Sequence, residues 1–129
     1  MSGKYRVRGM PRFSPLEYLY VGYGRWKLTK SFMYFGDAWT VIVPEGFTTD
    51  LDSVPRVPFL HAALKGRSVR AATAHDYLYK TQQGKRYADD TFLAAMKDEG
   101  LSRMRRYPIY WGVVMFGHYS YTKYSEYKA

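Results

Sequence analysis

The chain changes local texture once, near residue 44, and that change constrains its fold more than any other feature. From Glu17 to Val43, residues that favour extended backbone dominate: Glu17-Tyr18-Leu19-Tyr20-Val21, Trp26-Lys27-Leu28-Thr29, Ser31 to Phe35 and Ala38 to Val43. Gly22 and Gly24 punctuate the first turn, and Gly36-Asp37 predicts a two-residue hairpin loop in which glycine supplies positive φ. From Arg70 onward the spacing is helical. Helices are predicted over Arg70 to Thr81 with Ser68 as N-cap, over Arg86 to Glu99 ending at Gly100, and from Tyr107 to about Tyr121 with Pro108 in the first turn. Strands followed by helices predict an α+β fold, an antiparallel sheet packed against two or three helices.

A length of 129 residues suits a single domain, 1–129, with a real core. Hydrophobic residues at 47% and charged residues at 24% are globular values, which argues against wholesale disorder. The absence of cysteine excludes disulfides, thiolate metal sites and a cysteine nucleophile. The stretch Met1 to Arg12 is basic but has no apolar run behind it, so it does not read as a signal peptide. The longest apolar stretch, Ile109 to Phe116, falls far short of the ~20 residues a spanning helix needs, so no membrane span is expected.

Charge and tyrosine content bear on partners. Twenty Lys and Arg against eleven Asp and Glu leave a net charge of +9, and fourteen residues are tyrosine. Such a surface suits a polyanion or the acidic face of a protein, whereas the plainer reading is a solvated basic surface over a tyrosine-rich core. Basic residues mark an N-terminal arm, 1–12, with Lys4, Arg6, Arg8 and Arg12, and tyrosines mark a C-terminal segment, 118–129, with Tyr119, Tyr121, Tyr124 and Tyr127. These segments are expected to dock on neighbouring protein subunits of an oligomeric assembly, with protein favoured over nucleic acid.

Three segments hold the residues with chemical potential. Residues 44–58 contain three prolines and predict a long loop, in which Asp50, Asp52 and Ser53 suit either a self-capped turn or an oxygen-ligated cation site. His75 and Asp76 place an imidazole beside a carboxylate on a helix, with Tyr79 and Ala71 on the face of His75. Asp89 precedes Phe92, Leu93 and Met96 by three, four and seven residues. It therefore lies on the core-facing stripe and needs a partner: His75, Arg86 or a bound cation. Asp90 lies about 100° around the helix and is expected nearer solvent. Ser53 with His75 and an aspartate forms at most a weak hydrolase triad. His61 is isolated, His118 is expected as a packed interior or interface residue, and Arg103, Arg105 and Arg106 are expected as a solvated basic cluster ahead of a helix.

The order of these segments resembles a known family. Val43-Pro44, Gly46-Phe47, Thr49-Asp50, Ser53 and Pro55 come first, then His75-Asp76 with Leu78-Tyr79, then Arg86, Ala88-Asp89, Phe92 and Met96. The chain resembles, over roughly 40–117, the phage and prophage family catalogued as domain of unknown function 1353. The resemblance implies origin in a tailed bacteriophage and a polar cluster mapped onto Asp50, Ser53, His75, Asp76 and Asp89. It implies no activity. The expectation is a virion structural or accessory component that binds other phage proteins, found in the virion or in the host cytoplasm before assembly. The alternative is a small metal-dependent hydrolase acting on host envelope or a host defence molecule. There, His75, Asp76, Asp89 and Asp50 would hold a divalent cation, and the same residues with Ser53 would be the catalytic candidates.

Overall fold

Alternating burial makes a hairpin of Phe32–Phe35 and Thr40–Val43. The register pairs Phe32 with Val43 and Tyr34 with Val41, so four buried side chains share one face, while Ile42 points to solvent. The computed structural model describes residues 11–23, 25–49, 69–118 and 121–122. Lys4, Arg6, Arg8, Asp50, Asp52, Ser53, His61, Ser68, Tyr119, Tyr124 and Tyr127 lie outside the described residues. Along the chain run β1 (Tyr18–Gly22), β2 (Arg25–Leu28), β3 (Phe32–Phe35), β4 (Thr40–Val43), β5 (Thr48–Thr49), α1 (Val69–Lys80), α2 (Lys85–Asp98) and α3 (Arg103–Phe116). The fold is α+β, with antiparallel strands in the first half and, among the described residues, three helices in the second.

Among the described residues the strands form two small sheets, β1-β2-β5 and β3-β4. They divide because β2 turns to β5, pairing Trp26 with Thr49 and Lys27 with Thr48. Residues 44–49 are thus not all loop: the β-branched Thr48 and Thr49 complete a sheet inside the segment expected to be irregular. The β3–β4 connection also departs from the expected two-residue turn. Four residues separate Phe35 from Thr40, and Gly36 is not left-handed. Glycine is needed there for close approach, since a Cβ would lie 2.9 Å from the Trp39 carbonyl to which the Gly36 N–H donates.

Helices α1 and α2 pack through small residues. Ala71, Ala74, Ala88 and Ala95 are fully buried beside Phe92 and Met96. Each helix ends in a left-handed residue, Gln82 after α1 and Gly100 after α2. In each case the next N–H reaches back, from Gln83 to the Leu78 carbonyl and from Leu101 to that of Met96. The N-terminus of α1 is capped from α2: the Glu99 carboxylate accepts the Arg70 and Ala71 N–H groups at 3.1 and 2.9 Å.

α3 begins at Arg103, four residues ahead of the expected start, and Pro108 sits inside it. Arg103, Arg105 and Arg106 are its first turn, a placement opposed by the helix dipole and so hard to read from charge. Its inner face buries Ile109, Gly112 and Val113.

Candidate functional site

Asp89 is the centre of a buried polar network. Its place on α2 between Ala88 and Phe92 turns it inward, and it is 2% exposed. Its Oδ1 accepts from His75 Nε2 at 2.8 Å and from the Tyr79 hydroxyl at 2.7 Å, and its Oδ2 accepts from Lys85 Nζ at 2.7 Å. Because the acceptor is a carboxylate, His75 carries a proton on Nε2. The imidazole is held flat against Phe92, with ring centroids 4.6 Å apart, and tilted against Tyr79 at 4.1 Å. Lys85 also donates to the Val113 and Val114 carbonyls near the end of α3, at 3.0 and 3.3 Å. One carboxylate therefore joins α1 to α2 and, through Lys85, to α3.

The network sets the ionisation of its members. Burial opposes ionisation of Asp89, but hydrogen bonds from His75, Lys85 and Tyr79, with the His75 charge, outweigh it and hold the carboxyl below its ordinary value. Burial first, then the Asp89 charge and hydrogen bond, push the Tyr79 hydroxyl well above the usual tyrosine range. The cation beside Asp89 is Lys85 and not Arg86, which is exposed and lies 3.8 Å from Asp90. Asp90 accepts the Tyr110 hydroxyl at 2.7 Å, a bond that, with burial, raises Tyr110 to about 12.

Asp76 is directed elsewhere. It accepts from Thr49 Oγ1 at 2.7 Å and pairs with Lys80 at 3.1 Å, while Lys80 donates to the Thr48 carbonyl. That set ties α1 to β5. Successive helix positions point about 100° apart, so His75 and Asp76 serve different neighbours. The five expected residues thus divide. His75 joins Asp89, Asp76 joins the sheet, and Asp50 and Ser53 lie outside the described residues. Among the described residues, no three His, Asp or Glu side chains are grouped so as to hold a metal ion.

Two residues assigned to a partner surface serve the chain itself. Arg12 pairs with Asp37 at 2.6 Å, approaches Asp98 at 3.8 Å and donates to the Phe35 carbonyl. Tyr121 stacks edge-on against Tyr79, accepts the Gly84 N–H on its hydroxyl at 2.9 Å and accepts from Gln82 on its carbonyl. Its ring has an apolar neighbour and its tip a donor, which explains why this tyrosine turns inward. His118, by contrast, is exposed rather than packed in the interior. It lines a groove of about 410 Å³ between α2 and α3 with Arg86, Asp90 and Tyr110, and the groove reaches Lys85 and Asp89.

Lys85, Thr49 and Glu99 were not evident as partners from sequence. Lys85 stands four residues before Asp89, the spacing of an ion pair on one helix face, and that signal was available.

The family model described as "Protein of unknown function (DUF1353)" matches residues 26–113. The chain belongs to this family. The DUF1353 match begins at Trp26 rather than near residue 40, so β2, β3 and β4 are part of the family region, as are His75, Asp76, Lys85 and Asp89. No curated protein and no solved structure matches the chain. No helix among the described residues is long and apolar enough to cross a membrane.

Proposed function

We propose that this DUF1353 protein is a component of a tailed-bacteriophage particle that works by binding protein neighbours rather than by catalysis. The phage setting rests on the family resemblance. The observation that carries the binding reading is the β1–β2 hairpin. Among the described residues β1 lies at the edge of its sheet, and although its register shifts between Tyr20 and Gly22 it carries neither charge nor proline, two of the usual protections of an edge strand. Leu19 is 61% exposed, Tyr20 and Val21 are also exposed, and Tyr23 stands at the tip. Beside them β2 presents Arg25 and Lys27 to solvent. An extended segment with alternating apolar and acidic residues fits this edge: backbone bonds supply affinity, and the two cations select acidic side chains.

The hydrolase reading has less support. The Asp89 oxygens already accept three donors, and Asp76 is turned to Thr49 and Lys80. The network suits a tie between helices. Mass spectrometry of purified particles tests the proposal. The expected result is this chain at a fixed ratio to the major structural proteins. Abundance in infected cells with none in particles would refute it.

A further inference from the structure

The outer face of α3 is apolar and exposed. At about 100° per residue, Met104, Tyr107, Trp111 and Met115 fall within roughly 80° of arc. Met104 is 87% exposed, Trp111 54% and Met115 65%. This face lies opposite the side that buries Ile109 and Val113, and it is distinct from the β1 edge. An apolar stripe that long on a basic protein is unlike a scatter of single exposed residues.

The stripe is self-complementary. With His118, exposed just past the α3 cap Gly117 where the α2–α3 groove opens, the positions are 104, 107, 111, 115 and 118, and the intervals read the same from either end. Two copies of α3 laid antiparallel about an axis through Trp111 therefore set Trp111 against Trp111. The same placement puts Tyr107 beside Met115, and Met104 beside His118. Tyr107 beside Met115 is a favourable aromatic–sulfur contact. Arg103 and Arg105 are exposed at the N-terminal end of α3, where they oppose its own dipole. In the antiparallel arrangement they approach the carbonyl end of the other copy, where positive charge is favoured.

We infer that α3 is a homodimer interface, formed by its Met104–Tyr107–Trp111–Met115 stripe packing antiparallel on the same stripe of a second copy. The inference stands on α3 alone and does not depend on what the β1 edge binds. One helix face is smaller than the ~800 Å² per partner of an ordinary stable interface, so the dimer is expected to be weak and to form at high protein concentration. Each copy carries +9, so added salt should tighten the dimer by screening repulsion.

Sedimentation velocity across about 1–300 µM protein reads the association directly. A monomer–dimer equilibrium, shifted toward monomer at least tenfold by Trp111→Glu, is expected, and a monomer at every concentration overturns the inference. Orientation is read separately by cross-linking, since the chain has no cysteine. Met104→Cys and His118→Cys proteins, both altered at exposed positions, are treated with a short bismaleimide singly and mixed. Mixed cross-links should form faster than either self-cross-link. Faster self-linking of Met104→Cys means a parallel or different contact, and the antiparallel interface is then wrong.

Discussion

Lys85 and Asp89 stand one turn apart on α2 and meet at 2.7 Å, and the same ammonium holds the Val113 carbonyl of α3 at 3.0 Å. The pair makes a charge required inside α2 into a fastening for the helix beside it. An uncompensated carboxylate at that depth is costly, and Lys85 compensates it. The same ammonium adds a charged donor to a carbonyl that already accepts the Gly117 N–H.

Asp89→Ala leaves the half-buried Lys85 without its counter-charge and the buried His75 and Tyr79 without their acceptor. Urea denaturation should show a loss of about 3–5 kcal/mol. Lys85→Met in that background should recover part of the loss, because the stranded cation goes with it. A loss below about 1 kcal/mol for Asp89→Ala would mean that the pair does not bear on stability.

Acid stability follows from two carboxyls of opposite sign. Asp89 is held below its ordinary 3.8, so its contribution is fully present above that value and is lost as pH falls through the lower folded one. Glu99 is lifted above 4.5 chiefly by burial, so its ionised form costs stability near neutrality and that cost is relieved on acidification. Stability should hold level or rise slightly as pH approaches 4.5, then fall below 3.8. Asp89→Asn should flatten the acid limb. An unchanged limb in that variant would assign it to other groups.

Gly117 has ordinary backbone angles, so its role is space. A Cβ there would press on the Val113 carbonyl and come within 2.6 Å of the Tyr79 hydroxyl. Gly117→Ala should cost about 1–3 kcal/mol by displacing Tyr79 from Asp89. A loss below about 0.5 kcal/mol would remove the packing explanation.

Glu99 caps a helix from outside it. Glu99→Ala leaves two N–H groups of α1 without their acceptor and should cost roughly 1–2 kcal/mol. Amide exchange should quicken at Arg70 and Ala71 before it quickens elsewhere in α1. Uniform quickening along α1 would point to a general loss of packing instead.

Much of this was legible in the chain. Strand-forming residues before 44 and helical spacing after 70 specify α+β, and the position of Asp89 ahead of Phe92 and Met96 specifies a buried acid in need of a partner. His75 could be named as that partner. The division of His75 from Asp76 could not be weighed, because it depends on β5 arriving beside α1. Thr48 and Thr49 are two residues in a proline-marked segment, too short to show a period. The early start of α3 was hidden by arginines at its unfavourable end. Arg12 and Tyr121 looked like residues for a partner because their own partners, Asp37 and Gly84, are distant in sequence.

The central claim is that the Asp89 network holds the fold while the β1 edge does the binding. Particle incorporation and melting temperature of Asp89→Asn and Leu19→Glu, measured side by side, test it most directly. Asp89→Asn should melt several degrees lower yet enter particles in proportion to the folded protein present. Leu19→Glu faces Lys27 across the hairpin, so it should melt as the parent does, yet it repels an acidic partner and should be absent from particles. Leu19→Glu entering particles normally, while folded Asp89→Asn is excluded, would contradict the account.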